Sequence, residues 1–224
     1  GLREVAGHPT FESDAVVLVS GGATSLMAAP VSGLTAQELQ DTFTVLLSSG
    51  ADIALMNAIR KRLLRFGAGR LAVALGSRTV HCLIASDVIG NDPAAIASGP
   101  CVADTIGARE TRTRAGAASI WKTLPKNVRA LLDAMAERRV PDVPPVDHPR
   151  FASTPVQIIL DRTDAERGAT EEARQLGALV TVNSTPLSGD AATNGRQFAA
   201  DLLGRDRTGS ECVIWTGETT VTLN

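Results

Sequence analysis

The sequence predicts an α/β protein of two domains, each built on a largely parallel sheet. Short β-branched runs alternate with amphipathic helical segments along the chain, a pattern typical of parallel strands joined by helices. Segments rich in glycine, serine and aspartate follow directly after apolar runs, where open α/β sheets bind ligands. Four prolines between residues 141 and 149 favour extended, exposed chain. We therefore expect a first domain at 1–140, a linker at 141–155 and a second domain at 156–224.

Apolar periodicity and capping residues place the elements in order. In the first domain they predict strands at 15–19 and 79–85, and the first of these is expected to be buried on both faces. One helix runs from the capping box at Thr35 to Gly50, and the next runs from Asp52 to Phe66 with Ile53, Met56, Ile59 and Leu63 facing the core. One helical turn at 94–97 and helices at 106–121 and 126–139 follow. In the second they predict strands at 156–160, 179–183 and 212–215, helices at 164–176 and 190–203, and a strand-like end at 217–224.

Composition excludes several classes of partner. The net charge is −2, aromatic residues make up 3% of the chain, and tyrosine is absent. We therefore expect no nucleic-acid partner, because such proteins need basic patches or stacking platforms. No apolar run approaches the roughly 20 residues of a membrane span and no signal peptide opens the sequence, so we expect a cytoplasmic protein without membrane contact. The three cysteines lack metal or redox spacing, which favours reduced thiols.

The most informative segment is the loop at 86–100, which follows the predicted strand at 79–85. It contains Asp87, Asn91 and Asp92, two serines, two glycines and two prolines. Carboxylates at a strand end can hold Mg²⁺ through oxygen, or one of them can accept a proton from a hydroxyl group. Asn91 or Asp92 followed by Pro93 resembles a helix start, which can host an anion or a metal-bound phosphate or serve only as a cap.

Two further groups could accompany this loop. Glycines in the turn at 20–25 would let backbone N–H groups approach an anion. Asn57, Arg60 and Lys61 are spaced i, i+3 and i+4 on a helix, so their side chains converge on one patch. That patch is either a solvated basic face or a site for phosphate or carboxylate. Anion donors, cations and carboxylates together suit phosphoryl transfer, although the sequence lacks both the P-loop and the dinucleotide-binding motifs.

Five motifs occur in order along the chain: Gly7-His8-Pro9, the Ser20–Leu26 turn, Ser49–Ile53 with Asn57, Arg60 and Lys61, the Ser86–Pro100 loop, and Gly217-Glu218-Thr219-Thr220-Val221. Over nearly the whole chain, these motifs resemble those of the type-2 glycerate kinases, whose C-terminal part is called the MOFRL domain. Of these, the loop at 86–100 is the longest and most specific match.

The resemblance implies an ATP- and Mg²⁺-dependent kinase that phosphorylates the 2-hydroxyl of D-glycerate to give 2-phosphoglycerate. It also implies a Rossmann-like first domain with helices on both faces of its sheet, a smaller α/β second domain with a mixed sheet, and a site in the cleft between them. The small-molecule substrate would be D-glycerate, and a homodimer is left open.

The resemblance also implies roles for individual residues. Phosphate or substrate-carboxylate binding is implied for Ser20, Gly21, Gly22 and Thr24. Substrate and phosphate contacts are implied for Asn57, Arg60, Lys61 and Ser86, with Lys61 catalytic. Metal binding or proton transfer is implied for the catalytic Asp87 and Asp92, and substrate binding that closes the site from the second domain for Glu218 and Thr219. Asn91 stands where the family has an aspartate, and its amide carries no charge to offset Mg²⁺.

Segments that the family carries before residue 1, between Pro9 and Asp14 and after Leu223 have no counterpart in this sequence. If the sequence were the whole molecule, we would expect it to be catalytically inactive. Two alternatives stay open. The first is an NAD(P)H-dependent hydroxypyruvate reductase, a label that relatives carry, although the sequence lacks the dinucleotide fingerprint that such an enzyme would need. The second is a sugar-acid-binding remnant without catalysis.

Overall fold

The computed structural model describes residues 14–76, 78–205 and 209–221. The predicted Gly7-His8-Pro9 motif lies outside these ranges. The elements that they contain are β1 (Ala15–Val19), α1 (Ala23–Leu26), α2 (Ala36–Ser48), α3 (Ile53–Leu63), α4 (Arg70–Ala74), β2 (Val80–Ala85), a 3₁₀ turn (Ile96–Ser98), α5 (Ala108–Ala117), a second 3₁₀ turn (Ile120–Thr123), α6 (Lys126–Ala136), α7 (Pro149–Ala152), β3 (Val156–Leu160), α8 (Arg162–Gln175), β4 (Leu179–Val182), α9 (Ala191–Leu203) and β5 (Glu211–Ile214).

The strands confirm the predicted α/β class with parallel pairing. A three-stranded sheet has the order β1-β2-β3, and β1 runs parallel to β2, with Ala15 opposite Val80 and Val19 opposite Ile84. A two-stranded sheet pairs β4 with β5, also in parallel. Parallel strands need crossover connections, and the helices between these strands supply them. Among the described residues, no helix has the length and apolar character needed to cross a membrane.

The chain divides into two compact units. The described residues up to Ile84 form the first unit together with Pro93–Gln157, and Ala85–Asp92 forms the second together with the described residues from Ile158 onward. The loop at 86–100 is therefore shared: its first seven residues belong to the second unit and the rest to the first. The predicted domain boundaries, with a first domain at 1–140, a linker at 141–155 and a second domain at 156–224, stay predictions.

The segment predicted as a linker, 141–155, makes specific hydrogen bonds to other residues of the first unit. The Arg150 guanidinium donates from Nε to the carbonyl of Ala72 at 3.0 Å and from Nη2 to the carbonyl of Arg78. Asp142 accepts a hydrogen bond from the backbone N–H of Ala108 at 2.8 Å. Prolines restrict the backbone, but they do not prevent the residues between them from packing. This segment is part of the first unit.

Helices α2, α3, α5 and α6 build the core of the first unit. Their shared interior consists of apolar side chains that are almost fully buried, among them Leu39, Leu46, Leu55, Ile59, Leu63, Ala115, Val128 and Leu132. Thr35 and Glu38 form the predicted capping box at the start of α2. Helix α3 ends at Leu63 rather than Phe66, because Leu64 is extended and Arg70 Nη1 donates to the carbonyls of Lys61 and Leu64, each at 2.9 Å.

Two predicted apolar faces differ from the structure. Val16 is 61% exposed and Leu18 is 74% exposed, so β1 is not buried on both faces among the described residues. In α3, Ile53 is exposed, whereas Leu55, Ala58 and Arg62 are buried beside the predicted Ile59 and Leu63. A charged residue at a core position needs buried partners, which sequence periodicity does not reveal. After β5, Gly217 and Thr220 form isolated parallel bridges with Leu187 and Asp190 rather than a strand.

Candidate active site

In the first unit, the glycine turn lies directly after β1, as predicted. Gly22 has a φ of 74°, a left-handed conformation that glycine adopts without steric cost, and α1 begins at the next residue. The Thr24 hydroxyl lies 3.1 Å from the Ser98 hydroxyl. This contact ties the turn to the last part of the 86–100 loop, so the structure brings two predicted site segments together within one unit.

The backbone at 97–99 is strained where it meets the turn. Ala97, Ser98 and Gly99 have φ values of 51°, 64° and 59°, and non-glycine residues rarely adopt this region. The carbonyls of Ser98 and Gly99 accept hydrogen bonds from Ala68 N–H at 2.9 Å and Gly69 N–H at 2.7 Å. These bonds hold a conformation that would otherwise be unfavourable, and such strain is concentrated at functional segments. The predicted helical turn at 94–97 is a 3₁₀ turn at Ile96–Ser98.

The cations of α3 do not form the open patch that the sequence suggested. Lys61 is only 6% exposed, and its Nζ lies 3.0 Å from Asp104 Oδ1. Arg62 is fully buried: Nη1 lies 3.1 Å from Asp104 Oδ2, and Nε lies 3.1 Å from Asp142 Oδ1 in an ionic contact without hydrogen-bond geometry. The solvated-face alternative therefore fails for Lys61. We call Lys61, Arg62, Asp104 and Asp142 the buried ion network.

The other two residues of the predicted patch are half-buried. The Arg60 guanidinium carbon lies 5.1 Å from the centre of the Phe43 ring, and burial lowers the pKa of Arg60 from its usual value. Asn57 lies one turn before Lys61 on the same helix. Helix α3 also contacts the 3₁₀ turn at Ile96–Ser98. In the first unit, the helix that carries the predicted cations thus contacts the strained end of the loop.

The second unit contains a cavity of about 460 Å³ that brings Ser86, Asp87 and Glu218 together. Its remaining walls are Val88, Ile89, Asp161, Arg162, Ala165, Leu187, Trp215, Thr216 and Gly217. Thr219 instead lines an adjoining, more apolar cavity of about 480 Å³. Asp92 belongs to the second unit and is exposed, but it does not line either of these two cavities.

The cavity wall formed by α8 and the segment after β5 is held by polar contacts. Arg162 Nη1 donates to Glu166 Oε2 at 2.7 Å and to the Thr216 hydroxyl at 2.7 Å. The Thr216 hydroxyl donates to the same glutamate oxygen at 3.0 Å. These three contacts fix the guanidinium of Arg162, whose planar fork suits carboxylate and phosphate groups.

Gly217 sets the position of Glu218 in that wall. A Cβ on Gly217 would lie 2.3 Å from the backbone nitrogen and oxygen of Leu187, so only glycine fits this approach. The bonds from Leu187 N–H to Thr216 O at 2.8 Å and from Glu218 N–H to Leu187 O at 3.1 Å complete the contact. Glu218 is thereby placed at the cavity by main-chain hydrogen bonds.

Asp161 connects the start of α8 with the first part of the loop. Its carboxylate caps the helix by accepting from the Thr163 N–H at 2.7 Å, and it accepts from Asn91 Nδ2 at 2.6 Å. Hydrogen bonds from the hydroxyl of Thr163, from Asn91 and from the backbone lower the pKa of Asp161 to about 2. Asp161 is therefore ionised at neutral pH.

The donor set of the cavity fits a hard divalent cation. Asp87 and Glu218 both line it, and their carboxylates have no hydrogen-bond or ion-pair partner among the described residues. No group of three or more His, Cys, Asp or Glu side chains that could hold a metal ion occurs in the described part of the chain. Mg²⁺ is commonly bound by one or two carboxylates together with substrate phosphates, so two carboxylates are sufficient.

Sequence reasoning missed Asp161, Arg162 and Thr216. Asp161 follows β3 just as Asp87 follows β2, and the Ser86 N–H donates to the Leu160 carbonyl at 2.8 Å where these neighbouring strands end. The aspartate after each strand was a usable signal, because ligands bind at the carboxyl ends of adjacent strands. The local sequence, however, does not predict which strands are neighbours in the sheet.

Comparisons with known proteins place these features in a family. A model described as "Domain of unknown function (DUF4147)" matches residues 3–133. The chain belongs to the DUF4147 family. Its resemblance to the glycerate kinases, inferred above from five motifs, is confirmed by similar proteins over most of the chain.

Three relatives illustrate what this DUF4147 chain is similar to. Glycerate 2-kinase of Pyrococcus horikoshii is 30% identical over 219 residues, covering 95% of this chain and 49% of the relative. A protein of Agrobacterium vitis named putative hydroxypyruvate reductase is 32% identical over 217 residues, covering 93% and 46%. The crystal structure of glycerate kinase from Thermotoga maritima superposes with a TM-score of 0.73 at 25% identity, covering 100% and 52%. The chain spans about half the length of these relatives.

Proposed function

We propose that the protein containing this chain transfers the γ-phosphoryl group of ATP to the 2-hydroxyl of D-glycerate, giving 2-phosphoglycerate, with Mg²⁺ as the metal ion and in the cytoplasm. The relatives named glycerate 2-kinase and glycerate kinase support the substrate and the reaction class. Support from this chain's own residues comes separately from each unit.

The observation that carries the proposal is the cavity of the second unit. Asp87, Glu218 and Arg162 all line it, and contacts to Glu166 and Thr216 fix the guanidinium of Arg162. Phosphoryl transfer depends on positioning and on neutralising phosphate charge, with a carboxylate to orient or deprotonate the attacking hydroxyl. Two carboxylates that are unpaired among the described residues and a fixed cation supply both kinds of group.

In this proposal, Asp87 and Glu218 would hold Mg²⁺, which when bound offsets the charge of the transferring phosphoryl group. Asp92 would serve metal binding or proton transfer, Arg162 would bind a phosphate or carboxylate oxygen, and Ser86 and Thr219 would contact the ligand. In the first unit, the Ser20-Gly21-Gly22 turn and Thr24 would bind an anionic group through backbone N–H and hydroxyl donors. Asn57, Arg60 and Lys61 would contribute further polar contacts, with Lys61 catalytic.

The full-length protein tests the proposal. It is incubated with D-glycerate, ATP and Mg²⁺, and the product is identified by ³¹P NMR against authentic 2- and 3-phosphoglycerate. We expect 2-phosphoglycerate and one ADP per product. Formation of 3-phosphoglycerate would contradict the proposed regiochemistry, and absence of ATP turnover would contradict a kinase.

The names of two relatives supply a second candidate, hydroxypyruvate reduction. The same protein is therefore given hydroxypyruvate with NADH or NADPH. Oxidation of the nicotinamide without ATP turnover would replace the kinase by a reductase. Saturable binding of D-glycerate without either reaction would instead favour the non-catalytic sugar-acid-binding protein.

A further inference from the structure

We propose that Asn91 and Asp161 form a positioning latch, in which the hydrogen bond between them holds the loop Ser86–Asp92, and with it Asp87, against the start of α8. The inference rests on the proposed function only for its catalytic consequence. The latch itself is a property of the second unit, and it assigns to two residues outside the predicted site a role in presenting Asp87 to the cavity.

One carboxylate joins two elements that are distant in sequence. Asp161 Oδ2 accepts from Asn91 Nδ2 at 2.6 Å across 70 residues. Asp161 Oδ1 accepts from the backbone N–H of Thr163 at 2.7 Å and from its hydroxyl at 2.6 Å. Because these bonds fix the carboxylate to α8, the amide that it binds is fixed as well. The hydrogen bond therefore fixes the loop relative to the start of the helix.

The loop is fixed on both sides of Asp87. On one side, the Ser86 N–H donates to the Leu160 carbonyl at 2.8 Å, which ties the loop to the end of β3. On the other side, the Asn91 N–H donates to the Val88 carbonyl at 3.1 Å, and the Asn91 side chain reaches Asp161. Asp87 is exposed, with no side-chain partner of its own among the described residues, so these flanking contacts determine where its backbone lies at the cavity.

Asparagine meets three requirements at position 91. Its φ is 54°, a left-handed conformation that asparagine tolerates better than most residues. Its amide can donate a hydrogen bond to Asp161, whereas an ionised carboxylate at position 91 could only accept one. An ionised aspartate at position 91 would instead face Asp161 as a second negative charge at hydrogen-bond distance, and like charges repel. The amide at position 91 thus complements the carboxylate at position 161.

The test is an exchange of the two groups in the full-length protein. We expect Asn91→Asp to lower kcat by about tenfold or more, because the two carboxylates repel and Asp87 loses its position. Asp161→Asn should cost about threefold or less, because asparagine is a good N-cap and its carbonyl oxygen still accepts from Asn91. In the double variant N91D/D161N, an amide again faces a carboxylate, and we expect kcat to recover to within about threefold of wild type.

Hydrogen exchange of the amides of residues 88–91 provides a measurement independent of activity. We expect faster exchange in N91D and recovery in the double variant. Asn91→Gly removes the amide side chain while permitting the left-handed backbone, so it should also give faster exchange. The matched control is Asp190→Asn, since Asp190 caps α9 through Thr193 N–H at 2.8 Å and the Thr193 hydroxyl at 2.7 Å. It should change neither the exchange of the loop nor kcat.

These two measurements separate the two proposals. A wild-type protein that does not phosphorylate D-glycerate would overturn the proposed function, while the exchange pattern would still decide the latch. Wild-type exchange rates in N91D and N91G, or a double variant no better than N91D, would overturn the latch even in an active kinase.

Discussion

The two units hold their charges in opposite ways. In the first unit, Lys61 and Arg62 are buried and paired with Asp104, and each charge is compensated inside the fold. In the second unit, Asp87 and Glu218 line an open cavity without side-chain partners among the described residues, next to an arginine that two neighbours hold in place. Removing a charged side chain from water costs free energy, and its buried partners then hold it in place. An exposed and unpaired charged side chain remains available to a ligand.

This difference indicates what each group of charges does. Removing one member of the buried ion network strands another charge without water, so the main effect falls on stability. Removing a cavity carboxylate leaves the fold intact, so its main effect falls on activity. The predictions below test this division, beginning with the largest expected effect.

Asp104→Asn should lower the free energy of unfolding of the first unit by about 3–5 kcal/mol, because Lys61 and Arg62 lose their shared counter-charge inside the fold. Denaturant unfolding measures the change. The control is Glu137→Gln, which removes the ion pair with Arg139, whose two side chains are each 60% exposed. That variant should stay within about 0.5 kcal/mol of wild type. Equal losses in the two variants would mean that burial does not distinguish the network.

Asp87→Asn should lower kcat/KM for D-glycerate phosphorylation by about 100-fold, which is about 2.7 kcal/mol of transition-state stabilisation. The free energy of unfolding should not change, because Asp87 is exposed and unpaired among the described residues. Steady-state kinetics and denaturant unfolding are measured together. Glu171→Gln, an exposed carboxylate on α8 outside the cavity lining, serves as the control. Near-normal activity of D87N would move the site away from this cavity.

Lys61 is the exception that tests this division between stability and activity, because it is buried in the network yet the resemblance assigns it a catalytic role. We expect Lys61→Met to lower kcat/KM by about 100-fold through loss of a positive charge. It should also lower the free energy of unfolding, but by less than Asp104→Asn does, because Asp104 loses one of its two buried cations and keeps Arg62. Normal kinetics would leave Lys61 to the buried ion network alone.

Local patterns predicted most of the fold. The strands at 15–19 and 156–160 have the predicted bounds, and Thr35, Asp52 and Asp190 cap the predicted helices, because short-range spacing and capping chemistry determine these features. Burial was harder to predict. Arg62 occupies a core position because Asp104 and Asp142, 42 and 80 residues further along, supply partners for it. Such long-range pairing is set by packing and leaves no local signal.

The candidate site shows the same difference between features that local motifs predict and features that depend on long-range packing. Ser86, Asp87 and Glu218 were identified from motifs, and the cavity of the second unit brings them together. Asp161 and Arg162 were not, because their relevance depends on β3 lying beside β2 and on Thr216 reaching α8. The sequence also presented Asn57, Arg60 and Lys61 as one exposed patch. Helical spacing places side chains on a face, but the neighbouring elements decide whether that face is open to solvent.

The smallest expected effect concerns acid stability of the second unit. The pKa of Asp161 is lowered to about 2, so its contribution to folding is complete above the unfolded-state value of about 4 and is lost as pH falls toward 2. In D161N the cap remains but no longer titrates, so the acid-induced loss of stability should be shallower than in wild type between about pH 4 and pH 2. The pKa of Asp190 is also lowered, by hydrogen bonds from Thr193, and D190N should flatten the same limb less. The measurement is the denaturant midpoint of each variant across this pH range. If the midpoints of wild type and D161N fall in parallel as pH falls, the charge of Asp161 plays no role in holding α8 and the loop together.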